Sequence, residues 1–236
     1  MSGKDDKPRA AKAKQMPSHP VTSWARLNVL QDTYFSMCED SYSRYVSLFE
    51  RLSDYEAWDE ERIDLEHELN AKAIGTVVFA GMCVEAAIYD YSAIQLGDSF
   101  VRKHFDKMDL VSKWVVIPKY ICGVGLSKGG AAFGRLKRLV ADRNDLVHCK
   151  SKPVSVSDPV LYEQLEREKQ DSHDSVNNAY RAVVLLSLEM ESVLGARFNP
   201  LRSFDKKVNP LLEVPSNLRG VIAECKATFA KSISRD

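Results

Sequence analysis

Apolar residues recur at steps of three and four along most of this chain, and no stretch alternates with period two between turn signals. The backbone is therefore directed towards helices packed on helices rather than towards a sheet. Leu27, Leu30, Tyr34, Met37, Tyr42, Tyr45, Phe49 and Leu52 form one such stripe. Ile74, Val77, Val78, Gly81, Val84 and Ile88 mark the inner face of a second long helix, from about 60 to 91, entered after an acidic turn at 54–61. Gly75 and Gly81 lower its intrinsic helicity but let another helix approach closely, so packing must hold it. Short helices are expected around 98–106 and 109–117, then a loop through Cys122, Gly123, Val124 and Gly125. Phe133, Leu136, Leu139 and Val140 define a helix from about 130 to 148, which Pro153 prevents from running far beyond. Val176, Ala179, Val183, Met190 and Val193 define the last long helix, 162–194.

The expected fold is all-α, a bundle of four to five helices over residues 22–198. A flexible basic tail at 1–21 precedes it, rich in Lys, Ala, Pro and Ser. A C-terminal extension, 199–236, follows it. Pro200, Pro210 and Pro215 keep the first part of that extension extended, and Ser216 is placed to N-cap a final amphipathic helix bearing Leu218, Val221, Ile222, Cys225 and Phe229. The helix has two destinations open to it, the bundle or a partner.

The 33 basic and 33 acidic residues cancel, so no global field attracts a polyanion and nucleic-acid binding would have to rest on a local patch. Five dispersed cysteines (Cys38, Cys83, Cys122, Cys149, Cys225) without a CxxC pair suggest reduced thiols rather than a disulfide framework or a zinc site. The tail has no apolar core of a secretory signal, and the uncharged run Ala73 to Val84 is too short to cross a bilayer. The expectation is a soluble, cytoplasmic protein with no membrane partner, metal or cofactor.

The richest chemistry lies in Arg143-Asn144-Asp145-Leu146-Val147-His148. On a helix Asn144 and His148 are i,i+4 neighbours, and Arg143 lies one position aside, so one segment can aim a guanidinium, an amide and an imidazole at one ligand. The guanidinium's planar fork suits a phosphate, and histidine titrates near neutrality. Glu85, set among Val78, Gly81 and Ile88 on an apolar helix face, needs a partner, and Arg143 is the natural one. A structural ion pair locking two helices is the plainer alternative. Between Lys128 and Lys152 seven bases (Lys128, Arg135, Lys137, Arg138, Arg143, Lys150, Lys152) stand against two acids (Asp142, Asp145), which reads either as an RNA-binding cleft or as a solvated helix face.

These residues resemble the HEPN superfamily (higher eukaryotes and prokaryotes nucleotide-binding). An all-α chain, the helix sequence Val84-Glu85-Ala86-Ala87-Ile88-Tyr89 and a later Arg-Asn-x-x-x-His match its pattern, over about residues 22–197. The resemblance implies a metal-independent endoribonuclease, often a toxin of a toxin–antitoxin pair or a phage-defence enzyme. Some relatives instead serve as nucleotide-binding or dimerisation modules. It further implies roles for Arg143, Asn144, His148 and the acidic Glu85. RNA cleavage without a metal needs both a base and an acid, and one motif supplies one histidine, so a homodimer is expected. RNA, a second copy and a cognate antitoxin protein are the expected partners.

Other groups carry less. His67 with Glu66 and Glu68, and His173 with Asp171 and Asp174, read as surface charges, since adjacent helical residues diverge. Gly123-x-Gly125 and Lys128-Gly129-Gly130 lack a preceding strand and read as flexible loop. Cys149 beside His148 lacks nucleophile–base geometry. Trp24, Trp58 and Trp114 read as core or interface residues.

Overall fold

The computed structural model describes residues 26–150 and 160–233. The expected tail, Trp24, Lys152 and Pro153 lie outside the described residues. Seven α-helices and no strand occur among the described residues: α1 (Gln31–Ser53), α2 (Glu60–Leu96), α3 (Asp98–His104), α4 (Leu110–Cys122), α5 (Ala131–Val147), α6 (Leu161–Leu194) and α7 (Arg219–Ile233). Six of them lie within 22–198, against the expected four to five, because α3 and α4 both stand as separate short helices, while α7 falls in the extension where a final helix was expected.

Local chemistry explains most boundaries. The Asp59 carboxylate accepts from the Arg62 amide (3.0 Å) and Asp109 from the Ser112 amide (2.9 Å), so each aspartate caps the helix that follows it. α2 runs five residues past its expected end because Tyr91, Ser92 and Ala93 are still buried. It stops at Gly97, whose φ of 85° is left-handed backbone that a β-carbon would strain.

Side-chain pairings fix the helix directions. Arg44 bonds Glu68 and Arg51 pairs with Glu61, so α1 and α2 are antiparallel. Tyr45 meets His173 and Tyr42 stacks on Tyr180 with centroids 4.7 Å apart, making α6 antiparallel to α1 and co-directional with α2. Arg135 bonds Asn178 while Gly130 lies beside Glu189, so α5 runs against α6 and hence against α2. Trp114 of α4 is fully buried, and its indole N–H donates to the Val84 carbonyl of α2 (3.2 Å). A buried aromatic of this size with its polar atom satisfied anchors α4 to the central helix.

α1 presents a different face from the one its sequence suggested. Phe35, Cys38, Tyr42, Tyr45 and Leu48 are buried, whereas Leu27 lies outside the helix at 93% exposure and Leu30, Met37 and Phe49 are each about 40% exposed. The inner stripe is rotated because α1 packs on two helices at once, with Phe35 and Tyr42 reaching Tyr180 on α6. Trp58 is likewise exposed, under the Arg62 guanidinium at 4.5 Å. The C-terminal extension folds back on the bundle. Leu201, Phe204, Leu218, Ile222 and Cys225 join the common core, and Arg181 on α6 bonds Glu224 on α7 (2.8 Å). Ser216 opens a 3-10 turn ahead of α7 instead of capping the helix directly.

α2 is long and apolar enough by length and composition to cross a membrane, although the uncharged run within it, Ala73 to Val84, is shorter than a span. Half of its most apolar window is buried within this bundle. Ile74, in its apolar stretch, is 51% exposed.

Candidate functional site

α5 brings the Arg-Asn-x-x-x-His segment against the middle of α2. Arg143 donates from one terminal nitrogen to Glu85 Oε2 and from the other to Asn144 Oδ1, both at 3.1 Å. Of five guanidinium hydrogens these bonds take two, leaving donors for a further acceptor. The side chain of Arg143 is 30% exposed and that of Glu85 50% exposed. Glu85 thus stands at the rim of the α2–α5 contact, not on the apolar face where its neighbours suggested. At 100° per residue it lies to one side of the stripe formed by the buried Val84 and Ile88, at its edge.

The pairing depends on Gly81. A β-carbon there would lie 2.9 Å from Arg143 Cγ and 3.4 Å from Arg143 Cβ. The missing side chain is the space in which the arginine lies across α2. His148 follows one turn later as the residue closing α5, its amide donating to the Asn144 carbonyl (3.0 Å), with the residue exposed. Because α5 runs against α2, Leu146, Val147 and His148 extend from Gly81 towards the Val78 and Ile74 end of α2. Leu146, Val147 and Ile74 are 38%, 54% and 51% exposed, so this stretch of α5 and α2 carries uncovered apolar surface.

The basic group near this segment divides. Lys137 and Lys150 are exposed, and Arg138 is ion-paired to Asp142 at 3.5 Å. Arg135 instead turns into the bundle, donating to Asn178 Oδ1 (3.3 Å), while the Asn178 amide donates back to the Arg135 carbonyl (3.1 Å). Arg135, half-buried, is thus engaged in helix packing, unlike Lys137 and Lys150. Lys152 lies outside the described residues.

His173, which read as a surface charge, belongs to a network that the sequence hid. Asn177 Oδ1 accepts from the Tyr42 hydroxyl (2.7 Å) and from Arg181 (3.2 Å), which fixes its amide nitrogen as the group facing His173 Nε2 at 2.9 Å. Nε2 must then accept, so the ring hydrogen sits on Nδ1 and is donated to the Tyr45 hydroxyl (2.9 Å). Burial pushes the Tyr45 phenol up to about 12. The network ties α1 to α6 and, through Arg181 and Glu224, to α7. Its sequence signal was the i,i+4,i+8 spacing of His173, Asn177 and Arg181, visible only once α6 has a known face.

Two open clefts, of about 650 and 810 Å³, lie along the C-terminal segment, and neither includes a residue of 143–148. Among the described residues no three of the His, Cys, Asp and Glu side chains converge as a metal site. No family model, curated protein or solved structure matches this chain.

Proposed function

We propose that this protein is a metal-independent endoribonuclease of HEPN type, acting at a site completed by a second copy of the chain. The observation that carries the reading is the Arg143 guanidinium held between Glu85 and Asn144, one turn from an exposed His148 at the end of the same helix. In the proposed reaction one His148 takes the proton of an RNA 2′-hydroxyl, and the freed oxygen attacks the adjacent phosphorus. The bond to the 5′-oxygen breaks, and that oxygen leaves with a proton from the partner copy's imidazole, producing a 2′,3′-cyclic phosphate. Arg143 offsets the charge gathering on the phosphoryl oxygens. Glu85 and Asn144 hold the guanidinium in place beforehand, which is where preorganised charge is most effective.

Apolar surface beside the histidine supports the two-copy arrangement. Ile74 of α2 and Leu146 and Val147 of α5 are all more than a third exposed. A two-fold contact there would cover these residues and bring two His148 side chains to one groove. In the cell such an activity fits a toxin held by an antitoxin protein, or a phage-defence nuclease, in the cytoplasm.

A second reading has its own support. Glu85 already neutralises Arg143, and a cation closing α5 suits the helix dipole, which is what a non-catalytic dimerisation or RNA-binding module would retain. Incubating the purified chain with a fluorescent RNA in EDTA separates the two. Cleavage to cyclic-phosphate ends that is lost in both Arg143→Ala and His148→Ala supports the nuclease. Cleavage undiminished by His148→Ala, or none in the unaltered chain, removes it. Growth arrest on expression, relieved by the same substitutions, is the cellular counterpart.

A further inference from the structure

The α3–α4 end of the bundle carries an aromatic cluster that the Arg143 site does not use. Phe100 and Tyr120 face one another nearly in parallel, with centroids 6.3 Å apart and planes inclined by 21°. Phe105 supports both from beneath, 6.0 Å from Phe100 and edge-on to Tyr120 at 6.1 Å, and is itself only 7% exposed. His104 lies against Phe100 at 4.6 Å. Tyr120 remains 61% exposed and Phe100 37%, so the rings project outward over a buried base.

The charges around the rings are one-sided. Arg102 and Lys103 lie in the last turn of α3, Lys107 follows it, and Lys119 precedes Tyr120 on α4; all four are exposed, and none has an ion pair among the described residues. Two of the three acids in this stretch are committed internally. Asp98 is held by Arg26 at 2.8 and 3.1 Å and by the Tyr89 hydroxyl, and Asp109 caps α4. The local field is positive although the chain is neutral.

We propose that this end is a stacking platform for single-stranded RNA, feeding the strand towards the Arg143–His148 site; the proposal rests on the RNA reading given above and extends it. Planar rings at this spacing, about twice the roughly 3.4 Å rise per nucleotide of a stacked strand, accept bases of any sequence, and the unpaired cations track the phosphates. The position also fits. Trp114 on the same helix is bonded to Val84, next to Glu85, and Tyr120 is six residues, about 9 Å of rise, further along.

The test uses the full chain and a short fluorescent 2′-O-methyl oligouridine, which has no free 2′-hydroxyl and so cannot be cleaved by the proposed reaction. Fluorescence anisotropy is expected to show salt-sensitive binding, weakened about tenfold by Tyr120→Ala and restored in Tyr120→Phe, which keeps the ring. Paired Lys103→Gln and Lys107→Gln changes should lower the salt dependence. No binding by the unaltered chain, or equal affinity in Tyr120→Ala, overturns the platform. In the second case, Tyr120-dependent binding to phosphatidylserine vesicles would assign the patch to a lipid surface. The nuclease reading fails separately: Tyr120-dependent binding in a chain that leaves ordinary RNA uncut keeps the platform and removes catalysis.

Discussion

Arg143 reaches Glu85 by lying across Gly81, where an added β-carbon would stand 2.9 Å from its Cγ. The contact is with the root of the arginine side chain, which cannot swing aside as its tip can. Gly81→Ala should therefore move the guanidinium or part α5 from α2. Overpacking of this kind costs about 1–3 kcal/mol, against roughly 1 kcal/mol regained in helix propensity, so the net loss of stability should be on the order of 1 kcal/mol. RNA cleavage should fall at least tenfold. Urea denaturation and a cleavage assay on one preparation compare the two, and undiminished cleavage would contradict the role given to this gap.

Gly134 provides the contrast, because it is exposed within α5 and nothing lies within 4 Å of where its β-carbon would be. Gly134→Ala should stabilise the fold by about 0.5–1 kcal/mol by restricting the unfolded chain and favouring the helix. A lower urea midpoint would show an unseen constraint there.

The bases of α5 should separate by role. Arg135→Ala removes a donor from Asn178, which is 4% exposed, and an unsatisfied buried acceptor costs about 1–3 kcal/mol. Lys137→Ala, on the exposed side, should leave stability within about 0.5 kcal/mol of the parent while weakening RNA binding. Thermal melts and binding isotherms of both variants check the division, and the reverse pattern would refute it.

Glu39 predicts the sign of a pH dependence. Burial raises its carboxyl above the ordinary value of 4.5, a shift that the Tyr180 hydrogen bond and the Arg202 charge only partly offset. The folded state thus holds this proton more tightly than the unfolded state does. Its contribution to stability is complete below about pH 4.5 and is lost as pH rises through the raised folded value. Glu39→Gln keeps an acceptor for the Tyr180 hydroxyl and removes the titration. The parent should therefore lose stability relative to this variant as pH rises from about 4 towards 7. Parallel curves of urea midpoint against pH would rule this out.

The cysteines should label in order of burial. Cys149 is exposed and Cys122 half-buried, while Cys38, Cys83 and Cys225 are enclosed. Burial pushes the Cys83 thiol up to about 12 and the Cys225 thiol up to about 11, which leaves little nucleophilic thiolate near neutrality. A thiol-exchange reagent should modify Cys149 first, with the three buried thiols reacting only on unfolding. Early modification of Cys83, read by peptide mass, would contradict this packing.

The periodicity of this chain determined its helices. Steps of three and four residues placed α5 and α6 to within one residue at each end, because backbone hydrogen bonding and side-chain facing are settled between near neighbours. The candidate site was legible to the same extent: Arg143, Asn144 and His148 share one helix, so their grouping needed only its geometry. Which face each helix buries was decided by the tertiary structure. α1 turned Phe35 and Leu48 inward and left Met37 and Phe49 partly outside, because it packs against two helices. Glu85 moved from an expected apolar face to an exposed rim, Arg135 was tied to Asn178 on α6, and His173 entered a network with Tyr45 and Asn177. Each of these outcomes depends on contacts between residues far apart in the chain, whose free energy comes from the whole packed core and not from local spacing.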